Sequence, residues 1–117
     1  MTAREDYLKA ILVLNKKTGE VHSVDIARYL GVSKPSVCQA VNVLTKEGYL
    51  EVDGKHVLHL TDFGRNTAEK IYERHCFFTE QLVKIGVDQK TAEEDACRLE
   101  HAISDSSFEK LKKAFGK

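Results

Sequence analysis

The sequence predicts a mostly α fold: a winged helix-turn-helix with a small β-hairpin wing, followed by a further helical region. Three observations carry this reading. Apolar residues recur at helical spacing in blocks broken by Gly19, Gly31, Gly48, Gly54, Gly64 and Gly86, with Pro35 the only proline. Between Ser23 and Leu44, a small residue, a glycine and several apolar residues fall where two crossed helices need them. Residues 49–60 then alternate on both sides of Asp53-Gly54, the pattern of a hairpin with a strong turn signal.

From Arg4 to Asn15, residues Tyr7, Leu8, Ile11, Leu12 and Leu14 keep helical spacing, so a first helix ends before Thr18-Gly19. Ser23 is placed to cap a second helix, Val24 to Leu30. Gly31-Val32 turns the chain. Ser33 then caps a third helix opening at Lys34-Pro35, where proline is tolerated because first-turn amides lack intrahelical acceptors. That helix runs to Glu47 and stops at Gly48, and the hairpin Tyr49 to Leu60 follows. Thr61 or Asp62 caps a long helix reaching Ile85, with Ala68, Ile71, Tyr72, His75, Phe78 and Leu82 on one side. After Gly86, Thr91 to Ile103 makes another helix. Ser104 or Asp105 starts a last one, with Phe108, Leu111 and Phe115 facing inward. Residues 1–64 read as the winged helix-turn-helix domain and 65–117 as a second, helical domain, joined by continuous helix.

Within the helix-turn-helix, Ala27 is the small residue at the crossing, Gly31 sits at the turn, and Val37 is buried on the following helix. Ile26, Leu30, Val41 and Leu44 supply further apolar contacts. The third helix is then left to expose Ser33, Lys34, Ser36, Gln39 and Asn42, hydrogen-bonding residues suited to phosphates and base edges in a major groove. Lys55 and His56, at the hairpin tip, are placed to reach the nucleic-acid backbone or the minor groove.

Near the other end, Cys97, Glu100 and His101 stand at i, i+3 and i+4, neighbouring positions on a helical surface. A thiolate, a carboxylate and an imidazole on one stripe form most of a divalent-cation site. It is softer than a typical manganese site and harder than a structural zinc site. Another segment must complete it, and the candidates are Asp6 on the first helix and His75 on the long one. Cys38 and Cys76 read as structural, and His22 and His59 as surface or strand residues. A nucleic-acid reader and a metal constellation in one chain imply a metal-dependent regulator. A thiol redox-sensing winged-helix regulator, with Cys97 or Cys76 reactive, is the alternative on the same scaffold. An enzyme is not expected, since neither a general base nor a glycine-rich phosphate loop is evident.

Bulk properties set limits. The 117 residues make one domain, or two small ones sharing a core. No apolar run approaches the roughly 20 residues that cross a bilayer. Met1-Thr2-Ala3-Arg4-Glu5-Asp6 lacks the layout of a signal peptide, so a cytoplasmic location without a membrane partner is expected. Three cysteines without CxxC spacing build no disulfide framework and fit a reducing compartment. The net charge is zero, and residues 1–64 hold eight basic and eight acidic side chains. DNA binding is therefore argued from pattern, not from bulk charge.

Asp95-Ala96-Cys97-Arg98-Leu99-Glu100-His101 resembles the metal signature of the iron- and manganese-dependent repressors of the diphtheria toxin repressor family. Ser33-Lys34-Pro35-Ser36-Val37-Cys38-Gln39 is similar to the start of that family's recognition helix. The resemblance covers nearly the whole chain. It implies a primary metal site of Asp6, Cys97, Glu100 and His101, with His75 at a position used for an ancillary metal. It also implies DNA contacts from Ser33, Pro35 and Gln39. A homodimer formed through the C-terminal helices would present two recognition helices to a palindromic operator in double-stranded DNA.

Three departures qualify the transfer. Lys9 and Cys97 stand where the paired-metal manganese regulators have carboxylates, and an ammonium beside a second cation is repulsive. Thr79 occupies the place of an ancillary-site carboxylate, with Glu80 adjacent and Glu93 a further donor. The chain stops at Lys117, short of the SH3-like domain of longer members. The thiolate tilts the expected metal toward iron(II), with manganese(II) close behind, and other divalent transition metals are expected to bind in vitro.

Overall fold

The structure, a computed structural model, describes residues 3–115. Along them run α1 (Ala3–Thr18), α2 (Ser23–Leu30), α3 (Lys34–Lys46), β1 (Leu50–Val52), β2 (Leu58–Leu60), α4 (Asp62–Lys84), α5 (Gln89–Leu99) and α6 (Asp105–Ala114). The fold is mostly helical with one small antiparallel hairpin, as the sequence predicts. The chain divides into two compact units, one reaching Glu69 and the other beginning at Lys70, so the division falls inside α4. Among the described residues, no helix is long and apolar enough to cross a membrane.

In the N-terminal unit the apolar periodicity becomes a core. Leu8, Ile11 and Leu12 of α1, Ile26 and Ala27 of α2, and Val37, Val41 and Leu44 of α3 are buried. Burying a Leu, Ile or Val contributes roughly 1.5–3 kcal/mol, whereas an exposed ion pair contributes about 0–1 kcal/mol. The helix-turn-helix angle is therefore set by these side chains. Gly31 takes φ 69°, a left-handed conformation that favours glycine, and its N–H donates to Ala27 O at 2.9 Å. Ser33 caps α3 as expected, its hydroxyl accepting from Ser36 N at 3.3 Å.

The wing pairs Leu50 with Leu60, Glu51 with His59 and Val52 with Leu58. It is fastened to the helices by a bond from Leu58 N to Val21 O at 2.8 Å and by the buried Leu50, Val57 and Leu58. Thr61 caps α4, accepting from Gly64 N at 3.0 Å while its hydroxyl donates to Gly48 O at 2.7 Å. Tyr49 stacks on Phe63 with ring centroids 4.6 Å apart. This close approach of α4 to the start of β1 has no room for a side chain at Gly64.

In the C-terminal unit, Ile71, Phe77, Ala92, Ala96 and Phe108 are buried, and Phe77 meets Phe108 edge to face at 5.3 Å. Gly86, at φ 105°, ends α4, and Val87 N donates back to Leu82 O at 3.0 Å. Asp88 caps α5 by accepting from Thr91 N at 3.1 Å. That bond, the largest cause, holds the Asp88 carboxyl below its usual range. Ser104 caps α6, accepting from Ser107 N at 3.1 Å.

Several local expectations are corrected. α1 continues to Thr18, whose hydroxyl donates to Leu14 O. His22 rather than Ser23 caps α2, because Asp25 accepts from the His22 N–H at 2.8 Å. The hairpin tip is not a two-residue Asp53-Gly54 turn. Asp53 N donates to Val57 O, and His56 is the residue at φ 64°. Asp53 Oδ1 accepts from both Lys55 N and Val57 N, so its carboxylate organises the loop. On α4, Phe77 is buried and Phe78 half-buried, and both rings meet Phe108, at 5.3 and 6.0 Å. Phe115 is exposed, not inward. Cys38 and Cys76, read as structural, are exposed thiols, as is Cys97.

A helical Gly→Ala change ordinarily gains up to about 1 kcal/mol. At Gly64 an added Cβ would stand 2.0 Å from Tyr49 O. Gly64→Ala is therefore expected to destabilise the protein by roughly 1–3 kcal/mol, as overpacking does. A thermal melt checks this, and an unchanged or raised Tm would contradict the close approach.

Candidate functional site

The six-residue segment Cys97-Arg98-Leu99-Glu100-His101-Ala102 does not lie on one helix. α5 ends at Leu99, and Glu100 is its C-cap. Glu100 N still donates to Ala96 O at 2.9 Å, but His101 N turns to Arg98 O at 3.4 Å and Ala102 N to Leu99 O at 3.1 Å. The spiral thus tightens to i→i−3 bonding just where the donors sit. This corrects the expectation that the helix runs on to Ile103, although Cys97 and Glu100 still meet as i and i+3 neighbours; the turn beyond it is bound by a residue of α4. Arg74, 8% exposed, donates from Nη1 to Glu100 O at 3.3 Å and to Ile103 O at 2.7 Å, and from Nη2 to Asp105 Oδ1. It satisfies carbonyls that a helix end leaves without partners.

Glu100 continues the buried face of α5 carried by Ala92 and Ala96, and its side chain is fully buried. Its Oε1 lies 3.0 Å from His75 Nδ1 and its Oε2 lies 3.2 Å from His101 Nε2. One carboxylate thus stands between two imidazoles. Cys97 Sγ is 3.9 Å from the same His75 Nδ1. Donor atoms of His75, Cys97 and Glu100 all lie within 4.8 Å of one another. Ligands held about 2.0–2.3 Å from a common ion stand roughly 3–4 Å apart, so this soft, borderline and hard set fits a divalent transition metal.

Of the expected metal ligands, the structure brings together His75, Cys97 and Glu100, with His101 attached through Glu100. Asp6 lies half-buried on α1 of the N-terminal unit. Sequence reasoning missed Arg74. The signal was an arginine three residues after Ile71, inside an apolar helical face where a cation is costly unless paired.

The N-terminal unit carries the polar surface. Ser33, Lys34, Pro35, Ser36, Gln39 and Asn42 are all exposed at the start and along one side of α3. The Ser33 hydroxyl donates to Ser36 Oγ at 2.9 Å, which orders the helix entrance. A depression of about 420 Å³ lies between α3 and the wing, lined in part by Asn42, Lys46 and His56. Lys55 is exposed at the wing tip. Behind it, His59 Nε2 lies 2.9 Å from Asp53 Oδ2.

Comparison with known proteins agrees with this division of labour. Residues 1–58 match the model of the iron-dependent repressor N-terminal DNA-binding domain. Residues 61–117 match the iron-dependent repressor metal-binding and dimerisation domain. An uncharacterised helix-turn-helix-type transcriptional regulator of Methanocaldococcus jannaschii is 34% identical over 110 residues, covering 92% of this chain and 88% of its own. The transcriptional regulator MntR of Escherichia coli O6:H1 is 32% identical over 105 residues, covering 90% and 68%. The solved structure of the manganese regulator SloR is similar with a TM-score of 0.86 and 31% identity, covering 98% of this chain. The chain spans about half the length of SloR, 54%.

The wing yields a prediction about pH. The bond to His59, followed by those from Val57 N and Lys55 N, lowers the Asp53 carboxyl from 3.8 to about 2. A depressed carboxyl stabilises the fold above its unfolded value, and the contribution fades as pH falls through the folded one. Wing order should accordingly be retained down to about pH 4 and lost progressively toward about pH 2. Carboxyl NMR titration is expected to place Asp53 near 2, and His59→Ala to raise it. No rise in the variant would assign the shift to the backbone donors alone.

Proposed function

The chain belongs to the iron-dependent repressor family, and we propose that it is a transcriptional repressor of metal-uptake genes with iron(II) or manganese(II) as corepressor. Members of this family are DNA-binding regulators, not enzymes, with a metal-binding and dimerisation domain. The observation that carries the reading is the convergence of His75 Nδ1, Cys97 Sγ and a Glu100 carboxylate oxygen within one cation-sized cluster. The other unit of the same chain exposes a capped helix with Ser33, Lys34, Ser36, Gln39 and Asn42.

In this reading Cys97, Glu100, His101 and His75 hold the ion, and the family resemblance adds Asp6 to the set. When bound, the ion supplies a double positive charge that its donors share. The rest is done by the chain. Glu100 is the anchor because its carboxylate is already buried among imidazoles. Asp6 gives the corepressor a hold on α1. The buried Leu8, Ile11 and Leu12 of α1 share one core with Val37, Val41 and Leu44 of α3. Arg4 adds two contacts to the Glu47 carboxylate at the end of α3, 3.1 and 3.3 Å. Order imposed on α1 is thereby passed to the recognition helix. A metal–DNA coupling of about 1–3 kcal/mol changes affinity roughly 5- to 150-fold, and it is reciprocal.

Ser33, Lys34, Pro35, Ser36 and Lys55 are assigned to the DNA backbone, and Gln39 and Asn42 to base edges in the major groove. A homodimer presents two such helices to a palindromic operator. The Cys97 thiolate favours iron(II), with manganese(II) next, while zinc, cobalt or nickel bind at least as tightly in vitro. Lys9, buried on α1, speaks for a single ion rather than a closely spaced pair.

The test is an anaerobic selection from a library of short duplexes, using chelated protein with and without iron(II) or manganese(II). Metal-dependent enrichment of a palindrome is expected. Enrichment that ignores metal would remove the corepressor role, and a response to oxidant that survives chelation would favour thiol chemistry. Cys97→Ala and Glu100→Ala are each expected to abolish the metal-stimulated increment while circular dichroism keeps its helical signal. Gln39→Ala should weaken operator binding by roughly 1–3 kcal/mol, the worth of a bidentate base contact. It should leave metal affinity unchanged in a direct titration.

A further inference from the structure

We propose that Arg74 is the positioning residue of the metal centre: its guanidinium clamps the turn from Glu100 to Asp105 and so sets where the Glu100 and His101 donors stand. The inference rests on the reading of that cluster as a metal site.

Helical hydrogen bonding holds Glu100 through its N–H to Ala96 O at 2.9 Å but holds His101 and the residues after it only loosely. Glu100 is the last residue whose N–H reaches back four residues, and the bond that follows, His101 N to Arg98 O, is long at 3.4 Å. The turn is fixed from outside instead. One guanidinium meets Glu100 O at 3.3 Å, Ile103 O at 2.7 Å and the Asp105 carboxylate, gripping both ends of a six-residue segment. The planar fork of arginine can serve several acceptors together, which the point charge of a lysine ammonium cannot.

The clamp is itself held. Arg74 is 8% exposed, and its Cζ lies 5.4 Å from the centroid of the Phe108 ring. It also precedes His75 on α4, so one stretch of helix carries a donor and the group that places two others. None of its bonds is to the Glu100 carboxylate, the His75 ring or the Cys97 thiol. It acts on them only through the backbone. A guanidinium near a cation site is electrostatically adverse, and Asp105 offsets that charge.

The experiment titrates the intact protein anaerobically with manganese(II) alone and with cobalt(II) alone, for wild type, Arg74→Lys, Arg74→Met and Asp105→Asn. Thermal melts of the metal-free proteins accompany each titration. Groups that orient metal ligands typically cost 10- to 100-fold in affinity when replaced, so both Arg74 variants should lose affinity in that range. Their thiolate-to-cobalt absorption should shift or weaken. Arg74→Lys keeps the charge and should recover much of the melting temperature without recovering affinity, a separation that a merely structural role would not produce.

Asp105 is largely exposed, so Asp105→Asn should fold even if Arg74→Met does not, and it should move affinity the same way by less. If wild type binds neither ion at a thiolate-containing site, the metal-centre reading fails and this inference with it. If wild type binds but Arg74→Lys and Asp105→Asn match its affinity and cobalt spectrum, Arg74 is not a positioning residue and the metal centre stands.

Discussion

A fully buried carboxylate is the constraint around which the C-terminal unit is built. Glu100 cannot be taken from water without donors, because an isolated buried charge costs far more than one side chain's packing returns. The unit supplies His75 from α4 and His101 from the next position in the chain. Both reach the carboxylate at the end of α5, where the chain tightens just after Glu100. Arg74 then supplies a donor to two carbonyls of that tightened end, Glu100 O and Ile103 O.

The N-terminal unit solves a different problem with ordinary means. Its polar residues on α3 are useful only if the helix is held at a fixed angle with that face outward. The buried Ile26, Ala27, Val37, Val41 and Leu44 do this by packing alone. Polar devices are confined to the joints. Ser33 orders the entrance to α3, Asp53 folds the wing tip, and Thr61 ties the end of the wing to the start of α4. The surface is therefore rigid where apolar contacts dominate, while Lys34, Gln39 and Asn42 remain exposed along α3.

Most of this fold was legible because its periodicities are clean. Helices, hairpin and the Gly31 turn follow from apolar spacing and glycine placement, and Ser33 from its position before Lys34-Pro35. What sequence reasoning misplaced depends on which of several local bonds forms, or on contacts between residues distant in the chain. His22 as a cap needs the geometry of Asp25, the left-handed residue at the wing tip is His56 although Gly54 is at hand, and Phe77 is buried more deeply than Phe78 although both rings meet Phe108. The donor types at 97, 100 and 101 were readable, and His75 was named among them. Their arrangement was not readable, since it turns on where α5 ends. The turn beyond that end is bound by an arginine 26 residues upstream of Glu100.

The same contacts that satisfy Glu100 bear on how a centre of this kind discriminates. The carboxylate already has two imidazole partners, and His75 Nδ1 serves both Glu100 and Cys97. Any ion bound there must replace those contacts, so its net affinity is the difference between metal–ligand bonding and the pairing it displaces. Such a difference is smaller than the affinity of a set of free donors. The displaced term is the same for every ion, so the order set by softness is kept while all the affinities fall. A cluster prepaired within itself therefore suits reversible sensing better than permanent structural binding. The three acceptors of Arg74 keep the donors in register through that exchange, so that their placement need not be created by the ion.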